Sequence, residues 1–231
     1  MWTSHRGGFD RERPTPEQIG RWRRRTMAPD NEIPAGVGVA ALLGRTEDAA
    51  VGLTQLEAFS TGFRFNVAVR VRRLSAKIAH GGLFMLVSGH GRHGAEVPPE
   101  DRLLLGVEYA NGDRASTLED MRFPGEETDD DDRRLILSHV SGGGGDLTVD
   151  QSYWVSPLPP EGPVTIVLSW PGFGMPESRT ELDGALIRAA AARSVELWPE
   201  QPGFEPPEPP PPPRPSTGWF SYPDQPPEPG G

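Results

Sequence analysis

The stretch FRFNVAVRV, Phe63 to Val71, constrains the fold more than any other part of the chain. Phe63, Phe65, Val67, Val69 and Val71 alternate with Arg64, Asn66, Ala68 and Arg70. A strand sends successive side chains to opposite faces, so this period of two predicts one buried and one wet face. The turn-forming Ser60–Thr61–Gly62 precedes it, and AVGLTQLEAF before that turn reads as the hairpin partner. Its alternation slips near Gln55, which predicts a bulge.

The same period recurs along the chain. Leu103, Leu105, Val107 and Tyr109 form one set, followed by the hairpin signal Asn111–Gly112–Asp113 and a return strand in RASTLE. Leu135 and Leu137 open another strand. Leu147, Val149, Tyr153 and Val155 share a face, as do Val164, Ile166, Leu168 and Trp170. Short alternating strands separated by glycine and proline clusters predict a mainly β fold, an antiparallel β-sandwich of immunoglobulin-like architecture. One C-terminal α-helix is expected in TELDGALIRAAAARSVELW, begun by Thr180 and Asp183 in a pattern close to a capping box. Its stripe of Leu182, Leu186 and Ala189 would pack on the sheet and cover Trp154, with Trp198 closing the contact.

Composition divides the chain. With 28 glycines, 27 prolines and 35% apolar residues, one compact body diluted by other segments is expected. Residues 1–29 read as a basic disordered arm, 30–200 as the sandwich with its helix, and 201–231 as a proline-rich tail with an aromatic anchor. Met27 opens the organised part, so translation is expected to be able to start there. The first residues lack the apolar stretch of a signal peptide, and no run of about 20 apolar residues occurs. A cytoplasmic location is the expectation.

The candidate chemistry is sparse. There are no cysteines, which excludes disulfides, thiolate metal sites and cysteine nucleophiles. The net charge of −10 argues against nonspecific nucleic-acid binding by the whole chain. A local exception is the basic arm, where Arg21, Arg23, Arg24 and Arg25 surround Trp22; such a cluster suits a nucleic acid, an anionic surface or an acidic partner. GVGVAA, Gly36 to Ala41, matches a dinucleotide fingerprint with Glu57 downstream, but APDNEIP before it is no buried strand. His80, His90 and His93 could hold a metal, although their glycine-rich setting fixes no ligand vectors. The acidic run Gly125 to Asp132 lacks the order of a calcium loop. Ser88 has no nucleophile-elbow glycine two residues before it. No cofactor is implied.

The tail carries the clearest interaction signal. Pro209, Pro212 and Arg214 fit the pattern that docks proline-rich segments in aromatic grooves. Trp219, Phe220 and Tyr222 supply an aromatic cluster in a composition otherwise poor in packing residues. The leading expectation is a non-enzymatic binding or assembly module that contacts a protein partner through the tail. The alternative is a metal-assisted hydrolase using the histidine loop.

Two runs, DNEIPAGVGVAALLGRTEDAAVGLTQLEAFSTGFRFNVAVRVR and YWVSPLPPEGPVTIVLSWPGFGMPESRTELDGALIRAAAARSVELWP, resemble a group of uncharacterised bacterial hypothetical proteins. The resemblance covers the body without arm or tail. It implies no activity, cofactor or catalytic residue, and it favours Met27 as the start of the folded unit.

Overall fold

A computed structural model describes residues 14–75, 78, 82–89, 97–119 and 134–199. In chain order these form α1 (Pro16–Thr26), β1 (Glu32–Ile33), β2 (Ala35–Val37), β3 (Ala41–Arg45), β4 (Ala49–Ala58), β5 (Phe63–Val71) and α2 (Leu83–Ser88). There follow β6 (Leu104–Tyr109), β7 (Arg114–Ser116), β8 (Ile136–Gly144), β9 (Thr148–Ser156), β10 (Pro163–Trp170), β11 (Met175–Asp183), α3 (Gly184–Ala191) and β12 (Val195–Glu196). The protein is mainly β, and every strand pairing is antiparallel.

A six-stranded sheet runs β2-β4-β5-β9-β8, with β3 also on β4; a four-stranded sheet runs β11-β10-β6-β7. The period-two residues decide which faces are buried. Phe63 pairs with Val155, Phe65 with Tyr153, and Val69 with Val149. All of these lie in one apolar cluster with Val107, Val164, Ile166, Leu168 and Trp170 of the smaller sheet. The expected bulge is present, since the β4–β5 register shifts between Leu53 and Gln55. That shift keeps both Leu53 and Leu56 buried. The β6–β7 turn depends on Gly112, whose φ of +89° is a conformation that only glycine adopts without cost. Asn111 closes the same turn by accepting from the Asp113 amide.

Among the described residues three α-helices occur where one was expected, and α1 and α3 correct the sequence reading. The first correction falls in the arm. Residues 16–26 are helical, with Thr15 and Gln18 capping each other reciprocally, Pro16 in the first turn and Glu17 beside it. Arg23, Arg24 and Arg25 occupy the last turn, where the helix dipole favours cations. Eleven residues make a marginal helix in water, so packing must hold it.

The second correction falls at the other end. Thr180 does not start a helix; it pairs with Ile166 inside β11, and Asp183 is the true cap, accepting from the Ala185 amide. The ladder to β10 wins because it continues through Asp183 opposite Pro163. α3 therefore begins at Gly184 and buries Ile187, Ala190 and Ala191 while Leu186 stays 54% exposed. It packs against β2, β4 and β10. Gly184 has a positional reason, since a Cβ there would collide with the Gly162 carbonyl. Trp198 does not close this contact and is 53% exposed.

The glycine-rich segment read as a histidine loop contains α2, which ends at Gly89 with φ +78°. A Cβ at Gly89 would press on the buried Arg102 guanidinium. The chain between β11 and its tail is tied back by a small ribbon. Ile33 pairs with Val195 and Glu32 with Glu196, the Leu197 amide donates to Asn31 O, and Asn31 Nδ2 donates to Trp198 O.

Candidate functional site

Trp154 is the organising residue on the outer face of the larger sheet. It lies opposite Arg64 on β5 and Ser138 on β8, and it is fully buried. The sheet alone would leave it in water. α1 covers it instead, and not the C-terminal helix that the sequence pointed to. One backbone atom makes the junction: Arg25 O accepts from Trp154 Nε1 at 2.9 Å and from Ser156 Oγ at 2.6 Å. The Arg25 guanidinium in turn donates to Arg134 O at 3.3 Å. Phe59 meets the indole edge-on, with ring centroids 5.5 Å apart. Gly62 sits against the same ring, because a Cβ there would clash with Trp154 and the Val155 carbonyl.

Beside the indole, charges neutralise one another. Arg64 donates to Glu57 at 2.5 Å and lies 5.4 Å from the Phe59 ring centroid. Gln55 bridges Glu57 and Asn66. Farther along, Arg70 donates to Asp150 at 2.9 Å. On the opposite outer face, Glu108 joins Arg179 at 2.6 Å and Arg114 at 3.1 Å. The hydrogen bond from Arg179 holds the Glu108 carboxyl below the usual carboxylate range. Arg64–Glu57 is half-buried, whereas the other pairs each have an exposed partner and contribute little to stability. They define a polar surface whose charges are internally matched.

Two buried phenols lie toward the core. Tyr109 OH donates to Pro157 O at 2.6 Å, and Tyr153 OH donates to Gln151 Oε1 at 2.5 Å. Burial pushes both phenols well above their ordinary range. Both act as neutral donors that fix the core.

The residues singled out by sequence separate cleanly. Arg21, Trp22, Arg23, Arg24 and Arg25 form one continuous helix, with Trp22 half-buried. His80, His90 and His93 lie outside the described residues, as do Pro209, Pro212, Arg214, Trp219, Phe220 and Tyr222. The acidic run at 125–132 is also outside them. Among the described residues, no group of three or more histidine, aspartate and glutamate side chains could hold a metal ion. The fingerprint glycines Gly36 and Gly38 follow no buried strand and lead into β3, not a helix. Sequence reasoning missed the role of α1, although the Thr15–Gln18 capping box was legible.

No known protein family, curated protein or solved structure matches the chain. Among the described residues, no helix is long and apolar enough to cross a membrane.

Proposed function

We propose that the chain is a non-enzymatic binding or assembly module built on a β-sandwich of immunoglobulin-like architecture. It contacts a protein partner through its proline-rich tail and the Trp219, Phe220 and Tyr222 cluster. The shared apolar cluster of the two sheets supports the sandwich. The observation that carries the functional reading is the ribbon of β1 and β12. It fastens the chain as far as Trp198 by paired backbone and the Asn31 bond. A second anchor comes from Glu32, which accepts from the Ser60 amide at 2.9 Å. Paired backbone up to Trp198 makes the residues ahead of the motif part of the body, and prolines limit the freedom that must be lost on docking. The matched charges on both outer faces fit a scaffold better than a reaction centre.

Deleting residues 202–231 tests the reading. Recovery of the partner from native cells should be abolished, while the thermal unfolding midpoint stays nearly unchanged. Replacing Trp219, Phe220 and Tyr222 with alanine should have the same effect. Equal recovery without the tail would refute it. Stoichiometric zinc in protein purified without nickel columns, lost when His80, His90 and His93 are all replaced, would favour a metal-assisted hydrolase instead.

A further inference from the structure

A surface helix normally owes its stability to a buried apolar stripe. α1 has little of one. Of its eleven residues only Thr26 is buried; Trp22 is half-buried, Ile19 is 38% exposed, and none joins the apolar cluster of the two sheets. The residue it covers is held quite differently, since Trp154 is fully buried in the outer face of the larger sheet. The helix hides more of the body than it buries of itself.

Two further features weaken the cover. Gly20 lies in the middle of α1, where alanine is favoured over glycine by roughly four- to fivefold. No close approach calls for it, because a Cβ there would meet only Arg24 Nη1, at 3.6 Å. On the covered face, Ser138 lies directly opposite Trp154, and its Oγ is buried without a hydrogen-bond partner. Opening would return that hydroxyl to water and so offset part of the cost of losing the two bonds to Arg25 O. The connection permits a hinge. Met27 leaves α1 in an extended conformation, and the chain is fastened again at Asn31 and Glu32.

We infer that α1 is a strap that lifts from Trp154 about residues 27–31 while both sheets stay folded. Elements with few buried contacts open at a lower free energy than the core. Here the opening uncovers one defined surface: the Trp154 indole with its N–H, and the hydroxyls of Ser138 and Ser156 beside it. The closed strap withholds that surface, and the strength of the helix sets how often it is shown. Gly20 holds that strength below what the position allows.

Deuterium exchange in the full chain, followed by NMR, reads this opening. The Trp154 indole N–H is identified by its loss in Trp154→Phe. Its protection factor should lie at least about tenfold below those of the most protected amides of β5 and β9. It should also fall more gently with urea, because lifting a strap exposes little surface. Gly20→Ala should raise the indole protection roughly four- to fivefold. Ile166→Val, in the core of the smaller sheet, should lower the protection of the strand amides several-fold and leave the indole unchanged. Indole protection equal to that of the strands would overturn the inference. So would an indole that follows Ile166→Val, or one indifferent to Gly20→Ala.

Discussion

Removal of residues 1–26 is the perturbation that most directly probes how the body is completed. A chain begun at Met27 lacks Arg25 O, the shared acceptor of Trp154 and Ser156. Both donors would turn to water, a net loss of about 0.5–1.5 kcal/mol each. The indole would also lose its cover. If roughly 100 Å² of it becomes wet, burial at about 25 cal/mol per Å² puts the loss near 2.5 kcal/mol. The freed chain entropy of the lost helix offsets part of this. A net destabilisation of about 2–4 kcal/mol is expected, equal to a fall of about 1–2 M in the urea midpoint for a slope near 2 kcal/mol per M. Far-UV circular dichroism against urea is the assay, since six tryptophans blur the emission signal. A thermodynamic cycle sharpens it. Trp154→Phe should cost about 1–2 kcal/mol in the full chain and much less in the truncated one, because the bond and the covering helix are already gone. Equal midpoints with and without residues 1–26, or an unchanged cost for Trp154→Phe, would refute the packing of α1 on this indole.

Gly62→Ala should lower stability by about 1–3 kcal/mol through overpacking against Trp154 and Val155, seen as a lower thermal midpoint; an unchanged midpoint would contradict the close approach. Alkaline pH should also unfold the protein. The folded state keeps the Tyr109 and Tyr153 protons, chiefly because both phenols are buried, whereas the unfolded chain releases them near pH 10. Stability from this source is therefore intact below that value and falls as pH rises above it. Tyr109→Phe should make the alkaline limb of a pH–stability curve shallower, and an identical limb would show that this phenol does not titrate on unfolding.

The parts of the fold that were legible share one property: their inner and outer faces meet different solvents. Phe63 to Val71 and Val164 to Trp170 show it plainly, because each has core on one side and polar surface on the other. β11 hid itself for the opposite reason. Of its nine residues only Met175 and Leu182 are buried, so it shows no usable period, and the helical pattern downstream claimed its last residues. The glycine half of β8 was equally silent, since pairing with β9 and not side-chain character makes it a strand. In the arm, two signals competed. The arginine cluster suggested a solvated segment, while Thr15 and Gln18 announced a helix; only the distant Trp154 decides between them. The position of Trp154 placed it on the outer face and called for a covering element, but did not identify that element as α1.

The junction under α1 is made by a main-chain oxygen, and that has an evolutionary consequence. Any amino acid at position 25 presents the same carbonyl, so the bonds to Trp154 and Ser156 tolerate side-chain drift there. Selection on this junction would act on the donors and on the helix register that aims the carbonyl, and on the side chain at position 25 only through its separate bond to Arg134 O.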